Sequence, residues 1–344
     1  MRILAAVTVL VLATLSLPRP AAAQPDALVE RFVERLDSTG GDAGPAAYRR
    51  MWEVMDTLVL RELARGKDAD ELNRALAELP GYSRASEGSG FTTGRATFYS
   101  SLPRALPSYV VLPIRAGRET LLMGVYNFGV SDPGRVSLFG RRGGAWRRTG
   151  VADSRVTVVP HLLPLADSGL AIVTLETFTG ASYQSGSARA WRVRRGALEP
   201  LRTLATEMLE PHAETANGTV RIAFTRRPRN LDAPNLGTRR GFALTISPAG
   251  QTVTARTEVM TPWIEVVEQY YGLVRQAPAR ARALLASPSL ATRLGSRAPS
   301  SRDHGGDLRA GTGWLVIGTG ERSYRVTSRR SRDGQWRITA VEPQ

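Results

Sequence analysis

Histidine is the side chain best suited to proton transfer near neutral pH, and this chain of 344 residues contains three histidines. His161 and His212 each follow a proline, and His304 follows Asp303 in a glycine-rich segment where a general base could stand. The sequence has no His-Glu-x-x-His motif and no cysteine. The histidine spacing therefore predicts no zinc site.

Motifs for nucleophilic and phosphate chemistry are also missing from the sequence. No Gly-x-Ser-x-Gly elbow occurs, and the glycine-rich residues 311–320 lack the Lys-Ser/Thr pair of a phosphate-binding loop. Residues 232–238 lack the Asp/Asn ladder that suits calcium. We therefore assign no catalytic, cofactor-binding or metal-ligating residue. A pair of catalytic carboxylates across a cleft, as in glycosidases, is still possible, because a sequence does not show which acids face each other.

The first 23 residues have the layout of a secretory signal peptide. Arg2 precedes an apolar run at residues 3–17, and a small-residue site follows at 21–23. We expect cleavage between Ala23 and Gln24, with an uncleaved anchor as the alternative. The apolar run is shorter than the about 20 residues of a membrane-spanning helix, and no later segment is long enough. The sequence thus predicts an extracytoplasmic protein, periplasmic or secreted.

The charge is strongly basic, with 46 Lys and Arg against 31 Asp and Glu and a formal net charge of +15. Lys67 is the only lysine. Several arginines alternate with apolar residues, as Arg221 does between Val220 and Ile222, which places them on a solvated sheet face. A basic solvated face is the first interpretation. The second is that this face binds an anionic surface polymer such as an acidic glycan or lipopolysaccharide. No nucleic-acid-binding motif occurs, and we therefore do not expect nucleic acid as a partner.

Residues 24–85 are predicted to be helical, because their apolar residues recur at helical spacing. Pro45 suits the first turn of a helix, and Asp68 or Asp70 can cap another. We interpret the apolar stripe as core. Its members are Leu28, Val29, Phe32, Val33, Leu36, Tyr48, Met51, Trp52, Met55, Leu58, Val59 and Leu63.

Residues 90–260 are predicted to form an antiparallel β domain, with glycine and proline clusters between strands. Strands are expected at 121–128, 136–140, 170–178, 188–193, 219–225 and 242–247. Pro160, Pro211 and Pro262 are each 51 residues apart, and the last two end the segments TEMLEP (206–211) and TEVMTP (257–262), which share Thr, Glu and Pro in register. These features suggest repeats of about 51 residues. Three such units are too few for a closed propeller, so we expect a meander, a sandwich or an incomplete propeller-like repeat.

Residues 261–344 are predicted to form a helix-plus-sheet module. An aromatic helix begins near Trp263, a second covers ALLA at 283–286, a mobile loop is expected at 295–311, and three short strands follow. This order, with the final strand DGQWRITAVEP, resembles the NTF2-like superfamily over residues 261–343. The resemblance implies a cone-shaped pocket that binds a small ligand, or a non-catalytic module.

The fold class expected from the sequence is α+β and β-rich, with an N-terminal helical segment, the central β domain and the C-terminal module. The absence of common nucleophile and metal motifs favours a non-catalytic extracytoplasmic binding or scaffold protein. The alternative is a hydrolase whose carboxylates come from separate strands.

Overall fold

A computed structural model describes residues 25–38, 44–79, 109–128, 132–179, 184–232, 238–319 and 321–344. The predicted cleavage site between Ala23 and Gln24 lies outside these ranges. No helix within them is long and apolar enough to cross a membrane. The described chain contains three antiparallel sheets and six helices, which confirms the β-rich α+β class.

The helices form an N-terminal and a C-terminal group. They are α1 (Pro25–Ser38), α2 (Pro45–Ala64), α3 (Ala69–Ala77), α4 (Pro262–Leu273), α5 (Pro278–Arg282) and α6 (Leu290–Leu294). Asp68 caps α3, since its carboxylate accepts a hydrogen bond from the backbone N–H of Glu71 at 2.9 Å. Asn73 of α3 then hydrogen-bonds both backbone groups of Val111, at 2.8 Å each, and so covers the edge of the first sheet.

Each sheet is a meander in which consecutive strands pair. The first sheet contains β1 (Tyr109–Ala116), β2 (Glu119–Asn127), β3 (Gly134–Arg142) and β4 (Ala145–Ser154). The second contains β5 (Thr157–Pro164), β6 (Leu170–Thr179), β7 (Gln184–Arg194), β8 (Ala197–Ala216), β9 (Thr219–Arg226), β10 (Arg240–Ala249) and β11 (Thr252–Val259). The third contains β12 (Ser300–Asp307), β13 (Thr312–Thr319), β14 (Arg322–Arg330) and β15 (Trp336–Pro343).

Strand β8 belongs to two four-stranded units. It is 20 residues long; the part up to Leu209 pairs with β7, and the part from Leu209 onwards pairs with β9. We call β1–β4 blade one, β5 to the first half of β8 blade two, and the second half of β8 to β11 blade three. Each of the three blades is a four-stranded meander in which consecutive strands pair.

The predicted equivalence of the three prolines is wrong for the last of them. Pro160 lies in β5 and Pro211 in the second half of β8, so each is in the first strand of its blade. Pro262 instead begins α4. Its fixed φ and missing N–H suit the first position of a helix, and the strand repeat ends before it.

Strands β5 and β6 of blade two are buried on both faces, because their alternate residues enter different cores. In β6, Leu170 and Ile172 pack towards blade one, whereas Ala171 and Val173 pack towards blade three. The other face of blade one is covered by helices α1–α3. The layers therefore run from the N-terminal helices through blades one, two and three.

The last strand packs against the helix that opens the C-terminal module. The rings of Trp336 on β15 and Trp263 on α4 have their centroids 6.0 Å apart. Ile338, two residues further on, is fully buried in the core shared by α4 and β13–β15.

The prediction of a mobile loop at 295–311 is wrong, because residues 300–307 form β12 and pair with β13. The glycines in this stretch are needed for close packing. A Cβ on Gly306 would lie 2.9 Å from the indole of Trp263, and one on Gly305 would lie 2.9 Å from the indole of Trp314. Glycine in a strand often marks such a close approach, which a sequence does not separate from flexibility.

Candidate ligand-binding cleft

A cavity of about 930 Å³ opens where blades two and three meet helix α4. Its volume falls within the range of small-molecule sites, about 300 to 1,000 Å³. We call it the interblade cleft. Its lining residues come mainly from strand ends, the β9–β10 connection and one face of α4: Val156, Glu176, Phe178, Ser185, Gly186, Ser187, Glu207, Leu209, Arg226, Arg227, Pro228, Arg229, Asn230, Arg240, Glu265, Glu268 and Gln269.

The floor of the cleft holds a shared ion pair. Arg240, the first residue of β10, donates from Nε to Glu265 at 2.6 Å and from Nη1 to Glu268 at 3.1 Å. The two glutamates are three residues apart on α4, so they project from the same side of the helix. The Arg240 guanidinium also lies 5.2 Å from the ring centroid of Phe242. One arginine thus compensates much of the charge of two carboxylates.

Glu268 is the most unusual of these acids, because it is only 4% exposed. Its Oε1 accepts a hydrogen bond from the backbone N–H of Arg229 at 2.8 Å. Its Oε2 makes no hydrogen bond of normal geometry with any described residue, although the Asn230 backbone N–H is close enough to favour the carboxylate. Desolvation raises the pKa of Glu268, against the opposing effect of the Arg229 N–H. An incompletely satisfied carboxylate in a cleft makes Glu268 a candidate functional residue.

The opposite wall presents Glu176 of β6, which is 7% exposed. Its Oε1 accepts from Nε of Arg189 at 2.5 Å, and Arg189 stacks over Trp191 with a separation of 5.5 Å. Two residues further along β6, Phe178 is 38% exposed. This wall thus combines an acid that is paired with arginine and a partly exposed aromatic side chain.

The rim of the cleft is basic. Arg227 and Arg229 are exposed, and Arg229 lies 3.5 Å from Glu207 in a solvent-accessible pair that water screens. Arg226 lies over the rings of Phe224 and Phe242 at 5.4 Å from each. Three rim arginines against one rim glutamate, 3 − 1, leave a formal charge of +2.

The backbone is strained where β8 passes from one blade to the next. Glu207 has a φ of 56° and Glu210 a φ of 49°, in the left-handed region that non-glycine residues seldom adopt. Such residues cost about 1 to 3 kcal/mol each and cluster at functional sites. Glu210 is held by an ion pair with the buried side chain of Arg239. Packing around the cleft therefore holds residues 207–210 of β8 in this conformation.

The three histidines noted in the sequence do not line the cleft. His161 is buried in β5, with Nδ1 3.0 Å from Oγ1 of Thr215. Desolvation, with a smaller contribution from the charge of His212, lowers the pKa of His161 to about 4. His304 lies in β12, where its backbone N–H donates to the carboxylate of Asp303. Among the described residues, no three His, Cys, Asp or Glu side chains form a group that could hold a metal ion.

The acids of the cleft were missed by sequence reasoning. Glu265 and Glu268 lie in a helix that we noted only for its aromatic stripe. Glu268 directly follows Val267, and both are buried. A charged residue on the apolar side of a helix was the one available signal, because such residues are seldom buried without a partner.

A second charged cluster attaches α2 to blade one. Arg135 of β3 donates to Asp153 at 2.7 Å, to Glu53 at 2.9 Å and to Asp56 at 3.3 Å. Arg148 donates to Asp56 at 2.7 Å. Burial raises the pKa of Asp56, and these arginines oppose that effect. We assign this cluster a structural role, since it closes the layer between helices and sheet.

Comparison with known proteins identifies no family. No family model matches the chain, and no curated protein matches it. Among solved structures, an endo-arabinase from Bacteroides thetaiotaomicron VPI-5482 is similar at 12% sequence identity, over 67% of this chain and 81% of that one. The TM-score is 0.20, which is too low for the likeness to support an argument about fold or activity.

Proposed function

We propose that the protein is an extracytoplasmic binding protein that holds an anionic polymer in the interblade cleft. The observation that carries this proposal is the division of charge between floor and rim. Arg240 pairs with the buried carboxylates of the floor and Arg189 with that of the wall, whereas Arg227 and Arg229 remain exposed at the rim. An anionic chain lying across the mouth would therefore meet positive charge first.

The same ion pairs favour binding over hydrolysis. A glycosidase needs one protonated acid and one free carboxylate on either side of the scissile bond. Glu176 accepts from Nε of Arg189, and Glu265 accepts from Nε of Arg240 at 2.6 Å, so each carboxylate is already paired with an arginine and neither is the free carboxylate that such a mechanism needs.

A hydrolase remains the second candidate, because Glu268 has one property of a general acid. It is buried in the cleft, and desolvation raises its pKa. Incubating the mature protein with polygalacturonate and measuring new reducing ends separates the two functions. Binding without cleavage supports our proposal. Cleavage that Glu268→Gln abolishes would replace it with the hydrolase.

The binding test uses oligogalacturonate as the probe and calorimetric titration of the full mature chain. The double variant R227A/R229A should weaken binding by about tenfold, or about 1.4 kcal/mol. The matched control is R221A/R256A, which removes two exposed arginines from the outer face of blade three, each beside a glutamate at 3.9 and 3.8 Å. Equal loss in both variants would show attraction to net charge and contradict a site in the cleft.

Export is also part of the proposal, and it depends on the N-terminal signal. The mature protein should begin at Gln24 after cleavage at Ala23. N-terminal sequencing of protein recovered from outside the cytoplasm of a secreting host tests this. Exported protein that still begins at Met1 would contradict cleavage.

A further inference from the structure

We infer that strand β11 is an interaction edge, at which a second copy of this chain pairs antiparallel to form a two-fold symmetric dimer. β11 (Thr252–Val259) is the outermost strand of the second sheet, where it pairs with β10. None of its residues lines the interblade cleft, so this surface is independent of the proposed ligand site.

The other edge strands of the described sheets are protected against such pairing. Hydrogen bonds from side chains cover β1 and β5, and hydrogen bonds from other backbone segments cover β12 and β15. The covering residues are Asn73, Asn127, Asp232, Leu284 and Ala286. Strand β4 contains a β-bulge. Native sheets protect their edges in these ways, because a bare edge pairs readily with another chain.

β11 has none of these protections among the described residues. It contains no proline, and its register with β10 is regular. The N–H of Met260 donates to the carbonyl of Gly241 at 2.7 Å, so the even-numbered residues of β11 direct their backbone groups towards β10. The outward N–H and C=O groups belong to the odd-numbered residues: Val253, Ala255, Thr257 and Val259.

The charges of β11 select a second copy as the partner and fix its register. Arg256 and Glu258 are two residues apart on one face of the strand, with side chains 83% and 53% exposed. When two β11 strands pair antiparallel about Thr257, Arg256 of each copy lies opposite Glu258 of the other. A pair centred on Arg256 or on Glu258 would place like charges opposite each other, which is unfavourable.

The same register also pairs the outward backbone groups. Thr257 lies opposite Thr257 of the second copy and Ala255 opposite Val259, which are positions that exchange backbone hydrogen bonds in an antiparallel ladder. Val259, which is 37% exposed, gains an apolar neighbour in Ala255 of the second copy. Blade three of each copy thereby becomes part of one continuous sheet. Because one strand from each copy forms the contact, we expect a weak, concentration-dependent dimer.

Sedimentation velocity of the mature chain across micromolar concentrations tests this dimer. The wild type should shift from monomer to dimer as its concentration rises. R256E and E258R should each raise the dissociation constant by about tenfold, because each places like charges opposite at both symmetric positions. The double variant R256E/E258R should dimerise like the wild type, since it restores opposite charges. The control is R221E, because Arg221 is exposed beside Glu214 on an inner strand of blade three.

Thr257→Pro should abolish the dimer, because it removes an outward N–H at the centre of the pair. Proline at an edge strand leaves the subunit's own ladder intact, and circular dichroism and melting verify the fold of each variant. Titrations and unfolding with Arg256 variants require concentrations at which the wild type is a monomer.

A wild type that stays monomeric would overturn the second copy as the partner of β11 and leave an extended segment of another protein. A dimer that neither R256E nor Thr257→Pro weakens would place the contact elsewhere and overturn the inference. If the single charge variants weaken the dimer and the double variant does not restore it, the register centred on Thr257 is wrong.

Discussion

Nη1 of Arg240 lies 3.1 Å from Oε1 of Glu268, and this contact joins blade three to the first helix of the C-terminal module. The two side chains are 15% and 5% exposed, so water screens the pair little. The same contact forms the floor of the interblade cleft. Stability of the junction and shape of the site therefore depend on one arginine.

Arg240→Met should destabilise the protein strongly. It leaves Glu265 and Glu268 beside each other without their shared cation, and breaking a buried pair from one side costs about 3 to 5 kcal/mol. The double variant R240M/E268M should recover much of that loss, since it also removes the buried acid. Urea unfolding monitored by tryptophan fluorescence measures both. Arg256→Met is the control, because Arg256 and Glu258 are exposed and 3.8 Å apart. If R240M were as stable as the wild type, the stabilising role of Arg240 between blade three and α4 would be contradicted.

The inner strands of the blades could be predicted, because their sequences are apolar and end at glycine turns. Strands β2, β3, β6, β7, β9 and β10 all overlap the predicted segments. The outer strands β4 and β11 were not among the predicted segments. They are largely exposed, so no apolar alternation marks their ends.

The site could not be predicted, because its parts are distant in sequence. Glu176 on β6 and Glu268 on α4 meet only after blade two stacks on blade three and α4 folds back over the strand ends. No spacing rule relates such residues. The resemblance of residues 261–343 to the NTF2-like superfamily stays a prediction.

His161 should make stability depend on pH in a defined window. Its pKa is about 4 in the folded protein against 6.5 for an ordinary histidine, because burial disfavours the charged ring. As the pH falls, the unfolded chain therefore binds a proton at this histidine before the folded protein does. The stabilisation of the folded state by the neutral ring is fully present above pH 6.5 and is lost as the pH falls to about 4. This difference in pKa corresponds to about 3 kcal/mol in the free energy of unfolding.

Urea unfolding of the wild type and of His161→Gln between pH 7 and pH 4 measures this contribution. The wild type should lose more stability than the variant over that interval, since the carboxylates that also titrate are common to both. His304→Gln is the control and should follow the wild type. Identical pH slopes for the wild type and His161→Gln would refute the assignment.

Trp336→Ala should destabilise the C-terminal module, because the indole packs on Trp263 with ring centroids 6.0 Å apart. Trp336 is only partly buried, so we expect about 2 kcal/mol, below the about 3 to 5 kcal/mol of a fully buried aromatic. Ending the chain at Ser331 should unfold the module, since it also removes the buried Ile338 and Val341. Helices α1–α3 belong to a separate core and should be spared.

Thermal melting with limited proteolysis tests both changes. Leu308→Ala is the control, because Leu308 is 40% exposed and its truncation should leave melting unchanged. If a chain ending at Ser331 melted and resisted protease like the wild type, β15 would not be needed for the fold of the C-terminal module.

Hydrogen–deuterium exchange of the mature protein, with and without oligogalacturonate, tests the interblade cleft most directly. The account predicts slower exchange on binding in residues 184–187, in residues 226–230 and in helix α4, with little change in β13–β15. The variant R227A/R229A should lose this protection at the same probe concentration. Protection confined to the arginine-bearing strand β14, or no protection in any of the three cleft segments, would contradict binding in the cleft.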